Sequence, residues 1–132
     1  MANPAPPAIF FHADAIEGKG KDLVGRRSAG QSFLRGFLQH MPGEEVRVVT
    51  TQQGAAQSFD KVARALGETR PIAVRTLRGN HDFTDFGTIF FPAPGYMNAA
   101  WRRQRFGPAR CSLVGITHTV STRRVIENLH NL

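Results

Sequence analysis

The feature that most constrains the fold is a regular alternation of short apolar runs with helical patterns. Five runs have the length of strands and consist mainly of aliphatic or phenyl side chains: residues 8–11, 45–51, 72–77, 88–91 and 111–116. Apolar residues recur at helical spacing in the segments between or after them: 29–41, 55–66, 96–106 and 125–132. Strands that alternate with helices pair in parallel through right-handed crossovers. The sequence therefore predicts an α/β fold, a Rossmann-like doubly wound parallel sheet in a three-layer sandwich. If the strand order is the doubly wound one, 3-2-1-4-5, the sheet reverses between the first and fourth strands.

The chain has the length of one domain. Its 132 residues allow a single modest core. Residues 1–7 are rich in proline and predict a disordered N-terminal tail, so the domain is expected to span residues 8–132. The last helical pattern is followed by no return strand, whereas a Rossmann-like unit normally continues. We therefore expect a unit that is incomplete at its C-terminus, a fragment of a longer protein.

The charge balance favours an anionic partner. Lysine and arginine number 17 against 10 aspartate and glutamate, a net charge of +7, and 14 of the 17 are arginine. Arginine binds phosphate and carboxylate groups bidentately, so nucleic acid, a nucleotide-sugar and a lipid phosphate are all candidate partners. An arginine-rich module that binds nucleic acid or another polyanion is therefore one of the function classes that the sequence leaves open.

Cysteine usage and hydropathy indicate the compartment. The single cysteine, Cys111, lies in an apolar run, which excludes an intramolecular disulfide and thiolate metal sites and fits a reducing compartment. No basic segment precedes an apolar stretch at the N-terminus, and no run approaches the roughly 20 apolar residues of a transmembrane helix. We expect a cytoplasmic protein without a transmembrane segment, a composition that is compatible with peripheral membrane contact.

A loop rich in glycine and basic residues is expected after the first strand. Ser28 is expected to precede the first helix, and backbone N–H groups of such a loop together with a helix N-terminus can hold an anion. The loop matches neither a P-loop nor a Gly-x-Gly-x-x-Gly fingerprint, and a solvated loop is the plain alternative. The candidate phosphate-binding residues are Gly18, Lys19, Gly20, Lys21, Gly25, Arg26 and Arg27.

A histidine stands where the fifth strand meets the last helix. The run 111–116 predicts a buried strand, and His118 follows it with Thr117 and Thr119 on either side. In an open α/β sheet this joint lies at the carboxyl edge of the strands, where ligands bind. His118 is therefore the candidate catalytic residue, and Thr117 and Thr119 are candidate substrate contacts. The alternative is a loop histidine that hydrogen-bonds a neighbouring carbonyl.

Two further clusters predict surface residues. Helical spacing places Trp101 with Tyr96, Met97 and Ala100 on an apolar face, which indicates core, while the arginines nearby indicate a solvated face and, alternatively, a nucleic-acid patch: Arg102, Arg103, Arg105 and Arg110. The polar loop that follows the third strand contains His81, Asp82 and Asp85. A metal site or an acid/base pair is the alternative there, but ligand sites need a defined geometry, so we predict no metal site.

The sequence resembles the N-terminal domain of bacterial retaining glycosyltransferases of the GT-B fold. The resemblance lies in residues 92–96 (PAPGY), 101–107 (WRRQRFG) and 112–119 (SLVGITHT), and it extends back through residues 24–36 (VGRRSAGQSFLRG). The segment GITHT is its most specific part. The loop after the first strand departs from the family in having no adjacent glycine pair.

The resemblance implies a function as well as a fold. Such enzymes place two Rossmann-like domains across a cleft, with the acceptor in the N-terminal domain and the nucleotide-sugar in the C-terminal one. By resemblance, His118 would face the cleft near the transferred sugar, and residues 18–27 would lie near the donor phosphates or the acceptor. The chain would be the acceptor-side half, inactive without its donor domain, with the nucleotide-sugar as co-substrate, no cofactor and no obligate nucleic acid.

Overall fold

The computed structural model describes residues 5–13, 24–78, 81–92, 97–116 and 123–130. Its strands are β1 (Ala8–Phe10), β2 (Val46–Thr50), β3 (Ile72–Thr76), β4 (Thr88–Phe91) and β5 (Ser112–Gly115). Its helices are α1 (Val24–His40), α2 (Ala55–Ala65), α3 (Met97–Phe106) and α4 (Arg123–His130). Short 3-10 turns at Thr84–Phe86 and Pro108–Arg110 precede β4 and β5 respectively.

The five strands form one parallel sheet in the order β3-β2-β1-β4-β5. The predicted α/β class and parallel pairing are confirmed, and the strand order is the doubly wound one. The central strand is β1, in which Ile9 pairs with Val48 on one side and with Phe90 on the other. Strand order reverses between β1 and β4, and this is the switch point at which open α/β sheets bind ligands.

Two buried clusters lie on opposite faces of the sheet, because successive side chains of a strand point to opposite faces. The first joins β1 and β2 to α1 and α2 through Ile9, Phe11, Val46, Val48, Leu34, Phe37, Leu38, Ala55, Phe59 and Ala63. The second joins β1, β2 and β4 to the β3–β4 connection and the start of β5 through Ala8, Val49, Leu77, Phe83, Phe86, Ile89, Phe91 and Cys111.

The β3–β4 connection covers the second face with phenyl rings in an otherwise polar segment. Phe83 and Phe86 are buried, although the composition of this segment predicts a polar, irregular loop. Asp82 fixes the backbone here: its Oδ1 accepts hydrogen bonds from the Thr84 backbone N–H at 2.8 Å and from the Thr84 hydroxyl at 2.6 Å. The 3-10 turn that follows holds both rings against the sheet.

An arginine clamps the amino edge of the sheet. The Arg70 guanidinium donates to the carbonyls of Leu38 (2.6 Å), Met41 (2.9 Å) and Gly43 (3.2 Å), which belong to or follow the last turn of α1. It also forms an ion pair with Glu68, at 2.8 Å between Nη2 and Oε2. The hydrogen bond from Arg70 lowers the pKa of Glu68 from its ordinary 4.5 to about 2. Carbonyls left unpaired at the helix end are thereby satisfied.

The structure differs from the sequence prediction at the start of α1 and in the exposure of β5. Helix α1 begins at Val24, four residues before the predicted Ser28, so Gly25, Arg26 and Arg27 belong to its first turn. The fifth strand, predicted to be buried, is an edge strand in which Ser112 is exposed and Val114 is 41% exposed. The face of a strand is buried only where a helix or loop covers it, and an apolar run alone does not reveal whether the strand lies inside the sheet or at its edge.

The described part of the N-terminal segment contacts the sheet. Arg47 of β2 donates a 2.8 Å hydrogen bond from Nη1 to the carbonyl of Pro6. The Pro6 ring also lies close to Gly43, where a Cβ would stand 3.2 Å from it. Residues 5–7, assigned to a disordered tail from their composition, are therefore tied down at Pro6, and residues 1–4 lie outside the described part of the chain.

Candidate functional site

The candidate site is the carboxyl edge of the sheet beside the switch point. Because all five strands are parallel, β1, β4 and β5 end at this same edge. In sequence, residues 14–23 follow β1 and residues 117–122 follow β5, and these two segments contain most of the predicted site residues, while residues 93–96 follow β4. The carboxyl ends of β1, β4 and β5, from which these segments continue in sequence, lie at one edge of the sheet.

Most predicted site residues themselves lie outside the described residues. These are Gly18, Lys19, Gly20, Lys21, Thr117, His118 and Thr119. The backbone of Gly25, Arg26 and Arg27 is described and forms the first turn of α1. Any anion held there would meet backbone N–H groups of a helix N-terminus, in place of the open loop that the sequence predicts.

Aromatic rings form the base of the site at the switch point. Phe10 of β1 and Phe91 of β4 stack across the two strands, with ring centroids 4.9 Å apart and planes inclined by 21°. Phe11 continues the β1 pairing through a 2.9 Å hydrogen bond from its N–H to the Val49 carbonyl. His12, half-buried, comes next along the chain. Its imidazole is therefore carried to the carboxyl edge next to the switch point, and His12 is a residue that the sequence analysis did not name as a candidate.

A buried polar network fixes the loop after β1 to the loop after β2. The Ala13 N–H donates to Gln52 Oε1 at 2.9 Å, and the Gln52 N–H donates to Thr50 Oγ1 at 3.1 Å. Thr50 is fully buried, and its carbonyl accepts a 2.8 Å hydrogen bond from the Leu77 N–H. Sequence reasoning missed Thr50 and Gln52; the available signal was a run of polar residues directly after the buried Val48-Val49 pair.

The arginine cluster of α3 is arranged differently from the prediction. Trp101, predicted to be core, is 64% exposed, and Ala100 is buried. Arg103, predicted to be solvated, points inward and donates a 2.9 Å hydrogen bond from Nη1 to the Cys111 carbonyl, with its Nε buried and without a hydrogen-bond partner. Ala99 packs against the second buried cluster and Ala100 is buried, so this side of α3 faces the sheet and the Trp101 indole lies on the outside.

The polar cluster that follows β3 is engaged in structural contacts. Asp85 accepts two hydrogen bonds from Arg75 Nη1, at 2.7 and 2.8 Å. Asp82 accepts hydrogen bonds from Thr84, the first residue of the 3-10 turn, and faces Arg110 at 3.5 Å. The hydrogen bonds from Thr84 lower the pKa of the Asp82 carboxyl group. His81 is exposed. Over the part of the chain that the structure describes, no three histidine, cysteine or acidic side chains gather as a metal site would require.

Two further properties bear on the site. Burial raises the pKa of the Cys111 thiol, which disfavours the thiolate that a nucleophile or a metal ligand requires. Among the described residues, no helix combines the length and the apolarity of a membrane crossing.

Comparison with known protein families, with curated proteins and with solved structures finds no match to this chain.

Proposed function

We propose that the chain is the acceptor-side half of a GT-B glycosyltransferase, which moves a sugar from a nucleotide-sugar to an acceptor. The observation that carries this proposal is the parallel strand order β3-β2-β1-β4-β5, whose switch point lies between β1 and β4. The segment after β5 contains His118, and the segment after β1 contains the glycine and lysine residues. Ligands of open α/β sheets bind at this edge, where the resemblance to glycosyltransferases also places the acceptor cleft.

Each predicted residue has a role in this proposal. His118 and the basic groups Arg26 and Arg27 stabilise charge that develops on the transferred sugar and the leaving phosphate. The N–H groups at the start of α1, together with residues 18–21, lie near the phosphates of the donor or near the acceptor. Thr117 and Thr119 hydrogen-bond the substrate. The nucleotide-sugar is a co-substrate supplied from a donor domain, in a bacterial, cytoplasmic enzyme.

We also propose that the sheet belongs to a larger, three-layer unit. Helices α1 and α2 contact the first cluster, while the β3–β4 connection contacts the second together with Ala99 of α3, as three layers require. Val114, exposed on β5, faces the same side of the sheet as the partly buried Phe90, because the two residues are paired neighbours. A further element against this apolar surface would complete the unit.

The test is a substitution at His118 in a protein that joins this chain to a GT-B donor domain. We expect His118→Ala to lower turnover of the nucleotide-sugar by about 100-fold to 1,000-fold, the usual effect of removing a group that stabilises developing charge. His40→Ala is the matched control, because His40 is exposed at the end of α1, near the opposite edge of the sheet. Equal turnover in wild type and His118→Ala would contradict the assignment of His118.

An arginine-rich nucleic-acid or polyanion-binding module is the second candidate, and the net charge of +7 favours it. Ion pairs reduce the free positive charge, however: four arginines of the surface pair with carboxylates, namely Arg64 with Asp60, Arg75 with Asp85, Arg110 with Asp82 and Arg123 with Glu127. Binding of duplex and single-stranded oligonucleotides, measured against salt, decides between the two functions. A nucleic-acid module should show a steep salt slope and still bind near physiological ionic strength.

A further inference from the structure

The outer side of β3 is an open strand edge. β3 pairs with β2 on one side, and none of the described residues pairs with its other side. Backbone groups at odd-numbered positions of this segment face β2: the Val46 N–H donates to the Pro71 carbonyl and the Leu77 N–H to the Thr50 carbonyl, both at 2.8 Å. Because successive residues of a strand direct their backbone groups to opposite sides, the even-numbered residues direct theirs outward. These residues are Ile72, Val74 and Thr76.

This edge lacks the features by which proteins prevent strands from pairing. Natural edges are protected by proline, lysine, a bulge or a covering element. β3 contains neither proline nor lysine, and its pairing with β2 runs without a bulge from Ile72 to Thr76. Its one charged side chain, Arg75, lies over the Phe86 ring at 4.4 Å and binds Asp85 at 2.7 Å. The guanidinium therefore lies over the face of the sheet and leaves the backbone edge uncovered.

We propose that β3 pairs antiparallel with β3 of a second copy of this chain, about a two-fold axis that passes beside Val74. In this register Val74 faces Val74 of the partner subunit, and Ile72 faces Thr76 of the partner subunit. Each hydrogen-bonded pair exchanges two bonds, so the outward groups of β3 gain about six hydrogen bonds. The two sheets become one continuous sheet. The inference goes beyond the proposed sugar transfer and does not depend on it.

The side chains of β3 complement a second copy of the same strand. The proposed register places the exposed Ala73 opposite Arg75 of the partner subunit. The small methyl group leaves room for the guanidinium, which keeps its own contact with Asp85. On the other face of the sheet the facing residues are all β-branched, and such cross-strand pairs are favourable.

Neighbouring registers fit less well. An axis beside Arg75 would set the two Arg75 side chains directly opposite each other, and like charges in that position are destabilising. An axis beside Ala73 would set Thr76 opposite Arg70, whose N–H already donates to Glu68 at 2.9 Å. The register centred on Val74 therefore uses all the outward groups of the strand and avoids both conflicts.

The interface is small, so the dimer should be weak. Stable interfaces usually bury about 1,200–2,000 Å², more than a pair of five-residue strands offers, and we expect a Kd of roughly 10 µM to 1 mM. Sedimentation equilibrium of the whole chain measures it. A chain that is still monomeric at about 2 mM would overturn the proposal.

Disulfide cross-linking tests the register. Facing Cα atoms of a hydrogen-bonded pair are about 5.5 Å apart, within the range of a disulfide, so Val74→Cys should cross-link two copies under mild oxidation. Thr76→Cys is the matched control, because in this register the two Thr76 Cα atoms are about 14 Å apart. The native Cys111 is buried and does not compete. We expect Val74→Cys to cross-link at least about tenfold faster, and equal rates would overturn the proposal.

Charge substitutions at Ala73 test the same interface without altering its backbone. Ala73→Lys sets a cation opposite Arg75 of the partner subunit and should weaken the dimer by about 2-fold to 30-fold, whereas Ala73→Glu should strengthen it by a similar factor. Asn98→Lys adds the same charge at an exposed position of α3, far from β3, and should leave the Kd within about twofold. Changes of the same sign for Ala73→Lys and Ala73→Glu would contradict the proposal.

Discussion

At the scale of single residues, the pair formed by Glu68 and Arg70 makes stability depend on pH. The folded-state pKa of Glu68 is about 2, against an ordinary 4.5, chiefly because Arg70 donates to its carboxylate. A carboxyl group with a lowered pKa stabilises the fold fully above its unfolded pKa, and this contribution is lost as pH falls toward the folded pKa. The Glu68 side chain is only 6% exposed, so solvent screens the interaction little.

We expect Glu68→Gln to make the free energy of unfolding depend less on pH under acidic conditions. Between about pH 5 and pH 2 the wild-type free energy of unfolding should fall by roughly 3 kcal/mol more than that of the variant. Urea denaturation at several pH values measures both. Parallel curves for the two proteins would show that Glu68 is ionised as readily in the unfolded chain as in the folded one.

The two aspartates that follow β3 should differ in importance. Asp82 accepts hydrogen bonds from the backbone and the hydroxyl of Thr84 and so supports the turn that buries Phe83 and Phe86. Asp85 forms an exposed ion pair with Arg75. Exposed ion pairs contribute little to the free energy of unfolding. Asp82→Ala should therefore lower the melting temperature more than Asp85→Ala. A larger fall in melting temperature for Asp85→Ala would mean that the hydrogen bonds to Asp82 do not hold the turn.

The burial of single residues was predicted wrongly where the same helical spacing allows either of two neighbouring residues to face the core. Trp101 and Ala100 are adjacent in α3, and helical spacing alone allowed the indole to be grouped with the apolar side. The packing of small alanines against the sheet decided otherwise. Phe83 and Phe86 were hidden by polar neighbours, and the buried Thr50, whose hydroxyl accepts a hydrogen bond from the Gln52 N–H, was interpreted only as part of the second strand.

At the scale of elements, α1 contains a glycine, Gly36, beside which there is room for a Cβ. Gly36 lies inside the helix beside an apolar groove lined by Phe33, Phe37, Met41 and Phe90, and a Cβ there would meet no atom within 4 Å. Glycine inside a helix costs about 0.5–1 kcal/mol relative to alanine. Gly36→Ala should therefore raise the free energy of unfolding by about that amount.

Gly54 provides the matched control for this substitution. A Cβ at Gly54 also meets nothing within 4 Å, but its φ of +75° lies in the left-handed region. Gly54→Ala should lower the free energy of unfolding by about 1–2 kcal/mol, because side chains strain that conformation. Thermal melts of the two variants should shift in opposite directions. Stabilisation by both would show that the backbone at Gly54 relaxes freely.

Elements were easier to predict than their ends. Each strand run contains apolar residues in succession, and each helix repeats them at helical spacing, so the strands and α-helices of the described residues were anticipated in type, while the two 3-10 turns were not. The start of α1 was misplaced because the residues before Ser28 include a glycine and two arginines, which also suit a loop. The exposure of Val114 was missed because it depends on the position of β5 at the sheet edge.

At the scale of the whole molecule, protection against hydrogen exchange should follow strand order. β1 and β2 lie inside the sheet between hydrogen-bonded neighbours, whereas β3 and β5 are its edges. Amides of Ile9 and Val48 should exchange at least about tenfold more slowly than those of Leu113 and Val114, since edges open at lower free energy. Amide exchange followed by NMR tests this. Equal protection of β5 and β1 would indicate that another element covers β5.

The strand order was predictable because only a few arrangements join alternating strands and helices without crossing connections. For the candidate site, the sequence predicted the edge of the sheet at which it lies but not the residues that contact one another there. Parallel strands bring the ends of β1, β4 and β5 to one edge, but the interactions recorded there come from Thr50, Gln52 and the stacked pair Phe10 and Phe91. The Ala13–Gln52 and Phe10–Phe91 contacts join residues about 40 to 80 positions apart, a distance over which local periodicity carries no information.

The three-residue strand β1 has a consequence for synthesis on the ribosome. Its partner on one side, β2, emerges soon afterwards, but its partner on the other, β4, follows about 80 residues after Ile9, so this pairing closes a long loop. A nascent chain can assemble β1, β2 and β3 while the backbone edge of β1 that later pairs with β4 is still unpaired. Until residues 88–91 leave the exit tunnel, that open backbone edge is available to any strand that meets it, and a chaperone has its clearest opportunity there.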